Sequence, residues 1–201
     1  SLGRQPAARL VARVLCVRVR VRNHMVEKSE VMTDRIIYSS WDFQQALSAL
    51  TFLLEECDFD RKYNSIDLRR FRCFETAMII SFSRPFKVGR GRKPLDLEVI
   101  GFEISEAEIG LKDKIIHLRD KTVGHSDEAE MEFYISSTKP FDDHGVRMPL
   151  ERFQEGLQFD ERELRKIESL LRRVIHAIAI FKFDFVQVNP DGFNRLKSKG
   201  P

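Results

Sequence analysis

The sequence predicts a mainly α-helical fold, an up-and-down bundle of four or more helices with a small β-hairpin near residues 129–158. Three observations carry that expectation. Apolar residues recur at spacings of three and four through much of the chain. Ser105 with Glu108 and Asp160 with Glu163 form capping boxes that mark helix starts. The last long segment, about Asp160 to Val188, places Leu164, Ile167, Leu171, Val174, Ile178, Phe181, Phe185 and Val188 on an unbroken heptad seam.

The elements follow in order. A first helix is expected from near Asp34 to Cys57, with Ile36, Phe43, Leu47, Leu50 and Leu54 on its apolar face. Asp58 to Asn64 is a polar break. A second helix runs from about Ser65 to Ser83 and becomes apolar nearly all round after Phe71, the pattern of a central buried helix. Arg84-Pro85 ends it, because the residue before proline is pushed out of the helical region. The third helix starts at the Ser105 box and ends near Gly124. Met131 to Ile135 has strand propensity and Pro140 to Gly145 is rich in turn residues, hence the hairpin. Asn189-Pro-Asp-Gly192 stops the last helix. Its seam fits either an intrachain bundle or a dimer interface. Trp41 and Phe52 read most simply as core.

The chain has 201 residues, 42% of them hydrophobic and 32% charged, which suits one domain with a sizeable core. No apolar run approaches the roughly 18 to 20 residues needed to span a bilayer, so no membrane association is expected. Cys16, Cys57 and Cys73 form no CxxC pair and are odd in number. They point to a reducing, cytoplasmic setting and to core positions, not to a disulfide frame or zinc site.

The formal net charge of +3 is unevenly spread. Residues 1–22 hold six arginines (Arg4, Arg9, Arg13, Arg18, Arg20 and Arg22) and no acid, so 34 basic residues less these six leave 28 against 31 acidic. The remainder is weakly acidic, and bulk charge makes no case for tight duplex DNA binding. Arginine interrupts the leader too often for a signal peptide. Residues 1–24 read as a disordered or non-native basic leader ahead of Met25; a transit peptide, or an edge strand over Val17 to Arg22, are the alternatives. Residues 25–188 then form one helical domain and 189–201 a flexible tail.

Chemistry concentrates on the third helix. On a wheel of about 100° per residue with Leu111 at zero, the apolar residues span roughly −20° to +140°. Arg119 falls inside that arc at about 80°, and His125 beside it at about −40°. A charge on a buried flank needs a partner or a purpose. Glu75 poses the same question between Phe71, Ile79 and Phe82, and a Glu75–Arg119 ion pair would answer both. The basic cluster Arg84, Lys87, Arg90, Arg92 and Lys93 is a candidate phosphate contact, or only a solvated loop.

The run Leu118-Arg-Asp-Lys-Thr-Val-Gly-His125-Ser-Asp127 resembles the signature of the HEPN superfamily, small helical domains of prokaryotic toxin and phage-defence systems. Arg119 matches the arginine, Asp120 its polar neighbour and His125 the histidine, with five residues between. Arg72-Cys-Phe-Glu-Thr-Ala-Met78 is similar to the second helix of HEPN-like proteins of the abortive-infection type. The resemblance covers about residues 34–127 and, more loosely, the last helix. It implies metal-independent RNA cleavage, without a cofactor, where two motifs face one cleft of a homodimer. In toxin systems it also implies an antitoxin protein partner.

The residue types suit that chemistry. Histidine titrates near neutral pH and can move the 2′-hydroxyl proton. Arginine can neutralise charge developing on phosphorus through paired hydrogen bonds. Asp120 would orient a partner, Asp127 would orient His125, and Glu75 would support Arg119. On an ideal helix Arg119 and His125 lie about 120° apart, so they converge only if the helix unwinds near Gly124 or a second copy supplies one of them. Many HEPN domains are non-catalytic, so a scaffold or nucleotide- or partner-binding role is the alternative. His24, His117, His125, His144 and His176 include no HExxH or HxH pair, which disfavours a metal hydrolase.

Overall fold

The computed structural model describes residues 33–88, 93–123, 133–141, 146–153, 156–188 and 190. The first helix, α1, covers 33–56. Its residues Ile36, Phe43, Ala46, Leu50 and Leu53 are fully buried, the three-and-four spacing having placed them on one side. The second, α2, is Ser65–Ser83. It opens at Asn64, whose side-chain oxygen accepts from the Ile66 and Asp67 amides at 2.9 and 3.0 Å. Those bonds satisfy two donors that a first helical turn leaves without intrahelical partners. After Ser83 the chain tightens into a 3-10 turn, Arg84–Phe86, carrying Pro85.

The third helix, α3, spans Glu106–Leu118. Its capping box is formed: the Ser105 amide donates to Glu108 Oε2 at 2.9 Å and the Glu108 amide to Ser105 Oγ at 3.4 Å. At Arg119 the helix widens into a π-helical turn, Arg119–Val123. A hairpin follows, β1 Phe133–Phe141 antiparallel to β2 Val146–Phe153, with Ser136 opposite Leu150 and a register shift between Thr138 and Phe141. Tyr134 and Ile135 point to opposite faces of β1 and are 62% and 63% exposed, so neither face is buried here. The fourth helix, α4, is Glu161–Val188. Its box is also formed, with the Glu163 amide on Asp160 Oδ1 at 2.7 Å and the Asp160 amide on Glu163 Oε2 at 3.3 Å. The mainly helical fold with one small hairpin is therefore the fold expected.

One hydrophobic cluster joins the four helices. From α4 it takes Leu164, Ile167, Leu170, Leu171, Val174 and Ile178. The heptad seam is thus filled inside the chain as far as Ile178. Beyond it Phe181 and Phe185 stack on each other at 6.1 Å, half-buried, and Val188 is 78% exposed.

Three core expectations are corrected, for Trp41, Phe52 and Cys73. Trp41 is 60% exposed and Phe52 50% exposed. Both project about 140° to 160° round α1 from Ile36, onto its outer face, where Phe52 only rests on Phe74 at 5.8 Å. Cys73 is likewise exposed, on the outer side of α2, while Cys57 is half-buried. Cys16, the leader 1–24 and the tail beyond Pro190 lie outside the described residues. Among the described residues no helix is long and apolar enough to cross a membrane.

Candidate functional site

The site is built where the end of α2 meets the end of α3. Phe43 of α1, Phe82 of α2 and Phe86 form an aromatic trio with centroids 5.6 to 6.0 Å apart, which fixes the 3-10 turn against the core. Arg35, in the first turn of α1, donates through Nη2 to the carbonyls of Arg84 (2.9 Å), Pro85 and Lys87 (3.3 Å). A cation there suits the negative, unpaired carbonyl end of a helix. The Leu95 amide closes the neck of the following loop on the Pro85 carbonyl at 2.7 Å. Lys112 of α3 lies over the Phe86 ring, 5.7 Å from its centroid.

This scaffold presents Lys87 to the π-helical turn. Lys87 Nζ donates to one carboxylate oxygen of Asp120, and Arg119 Nη1 donates to the other at 2.8 Å. The hydrogen bonds from Lys87 and then Arg119 hold the Asp120 carboxyl below its ordinary range, so it stays ionised at any working pH. All three side chains are partly exposed: Lys87 34%, Asp120 37%, Arg119 43%. Two cations share one acid, which leaves a net positive charge facing solvent.

Arg119 is thus not on a buried flank, as the regular helical wheel implies. The π-helical turn begins at this residue, and its i→i+5 bonding turns the chain through less than 100° per residue. Arg119 itself still donates its amide to the Ile115 carbonyl four residues back, so the regular wheel holds for its backbone. The reach of its long side chain carries the guanidinium off the flank to Asp120 and solvent, and the wheel is lost only beyond it. The change of winding starts at Arg119, while Gly124, where unwinding is one of the two routes by which Arg119 and His125 could converge, lies outside the described residues. Local π-helix occurs mostly as single turns, frequently at functional sites.

The Glu75–Arg119 pair is not formed. Glu75 is 2% exposed, and its Oε1 accepts the backbone amides of Gln158 at 2.8 Å and Phe159 at 3.1 Å, just before α4. Burial pushes its carboxyl up to about 7, against the lowering effect of those two amides and of Arg72 and Lys114. Glu75 therefore ties α2 to the entry of α4 and does not support Arg119.

Of the basic cluster, Lys87 joins the Arg119–Asp120 pair. Arg84 turns to Asp42 of α1 at 3.3 Å, and Lys93 is exposed. Arg90, Arg92, His125, Asp127 and residues 142–145 lie outside the described residues. Arg35 escaped the sequence reading, since its acceptors are 49 to 52 residues away and no local pattern announces them.

A separate groove of about 810 Å³ runs between α3 and α4. Lys114–Glu163 at 2.6 Å and Arg173–Glu108 join the two helices there, so its charges are largely matched. Among the described residues no group of three or more His, Cys, Asp or Glu side chains converges as a metal site. No family model matches this sequence, and neither a curated protein nor a solved structure matches it.

Proposed function

We propose that this chain is a HEPN-like, metal-independent endoribonuclease of the toxin or phage-defence type, acting as a homodimer in the cytoplasm. The observation that supports the reading best is the placement of Arg119. It stands at the partly exposed start of a π-helical turn, hydrogen-bonded to its neighbour Asp120, four residues before the end of the described stretch that leads to His125 in the sequence motif. In this role Arg119 neutralises charge on phosphorus and His125 moves the proton of the 2′-hydroxyl. Asp120 positions Arg119 in the substrate-free protein, Asp127 orients His125, and an antitoxin protein would restrain the activity.

Purified protein incubated with RNA in EDTA tests this directly. Cyclic-phosphate ends are expected, and Arg119→Ala and His125→Ala should each abolish them with helicity and melting temperature nearly intact. If both variants unfold, or if the wild-type chain leaves RNA uncut, the enzymatic reading fails.

The second reading is a non-catalytic HEPN-like scaffold or nucleotide- or partner-binding protein. It is favoured by the outer face of α1, where Ile37 (42% exposed), Trp41 and Phe52 leave an apolar surface open. Uncut RNA together with a stable complex lost on Trp41→Ala would select it.

A further inference from the structure

Each oxygen of the Asp120 carboxylate is taken by a different cation, and the two cations come from different parts of the fold. Two anionic oxygens bridging a lysine and an arginine are also what the non-bridging oxygens of a phosphodiester would present. From this juxtaposition, and resting on the ribonuclease reading above, we propose that Lys87 and Arg119 are the paired cationic arms of a phosphodiester subsite for single-stranded RNA, with Asp120 as the resting occupant that substrate phosphate displaces.

The anchoring of Lys87 distinguishes it from an ordinary surface lysine. Its carbonyl is held by Arg35 at 3.3 Å, its amide donates to the Arg84 carbonyl at 3.3 Å, and its neighbour Phe86 sits in the aromatic trio. The backbone is fixed and the side chain reaches across to the end of α3. Only the ammonium group must change partner when a ligand enters. Displacement is energetically cheap, because ion pairs this exposed are screened by solvent and hold little net stability. Since Asp120 stays ionised, it competes with phosphate at every working pH and is removed only by displacement or mutation. The arrangement therefore gives Asp120 a sign of its own: its charge opposes ligand entry while Lys87 and Arg119 promote it.

Binding without cleavage is measured with a short, fluorescein-labelled oligonucleotide of 2′-O-methyl uridines, which offers phosphodiesters but no reactive hydroxyl. Fluorescence anisotropy is followed over a salt series with the full chain. Lys87→Gln, which keeps most of the side-chain stem, is expected to weaken binding about tenfold at low salt and to flatten the slope of log K against log salt by about 0.7. Asp120→Asn is expected to bind several-fold tighter than wild type, and Lys166→Ala, on α4, to bind as wild type does. Wild-type binding with Lys87→Gln unchanged in affinity and slope overturns the subsite and leaves the ribonuclease reading standing. Weaker binding by Asp120→Asn overturns its role as resting occupant. No binding by the wild-type chain overturns both readings, and retention of inorganic phosphate alone would overturn the assignment to RNA. Circular dichroism melts of each variant separate lost contacts from lost folding.

Discussion

Glu75→Gln tests the energetics of the core with the sign worked out beforehand. The carboxyl of Glu75 is 2% exposed and titrates at about 7, against an ordinary 4.5. A folded-state value above the unfolded one means that the native protein holds the proton more tightly. Its stabilising contribution is complete below the unfolded value of 4.5 and is lost as pH rises through the folded value of about 7. At about 1.36 kcal/mol per unit, the loss is on the order of 3 kcal/mol. Glutamine has nearly the same shape, can still accept the Gln158 and Phe159 amides, and never ionises. Urea unfolding of both proteins should therefore give similar stabilities near pH 5. By about pH 9 the variant should be the more stable by roughly 3 kcal/mol. Refutation is simple to recognise: a stability difference that stays flat from acid to alkaline pH, or one that grows in favour of wild type. Either would mean that the two amides compensate the buried charge fully. Glu75→Ala gives an independent check, since leaving buried amides without acceptors costs about 1 to 3 kcal/mol each at any pH.

Two further substitutions test the helix account. Leu171→Ala, at a fully buried seam position, should cost about 2 to 5 kcal/mol in urea unfolding, while Val188→Ala at the exposed end should change little; equal effects would show that the seam is not filled within the chain. Asn64→Ala should cost about 1 kcal/mol by removing the two accepted amide bonds, and a melting temperature identical to wild type would contradict the capping role.

Much of the fold was readable from local chemistry. The boxes at Ser105 and Asp160 formed as expected because donor and acceptor lie three residues apart and need nothing else to meet. The bounds of α2 followed from Asn64, Pro85 and the apolar run between them. What escaped reading depended on distance or on direction. The acceptor role of Glu75 joins it to amides 83 and 84 residues later, so a carboxylate in an apolar stretch suggested the wrong partner. Trp41 and Phe52 are apolar but face outward, and hydrophobicity alone does not say which side of a helix meets the core. The regular wheel gave the direction of the Arg119 backbone but not the reach of its side chain, which carries the guanidinium out to Asp120. Pairing of Lys87 with Asp120 across 33 positions required both helix ends to be placed first.

The grip of Arg35 on three carbonyls of one turn has a bearing on how the molecule must assemble. Its acceptors belong to Arg84, Pro85 and Lys87, so the geometry of that corner is set by the opening turn of a helix that precedes it by about fifty residues. A shortened chain beginning at α2 could keep its capping residues and much of its helix content and still leave Lys87 without its mooring. Helicity is then a poor proxy for an intact corner, and truncation experiments should score the two separately.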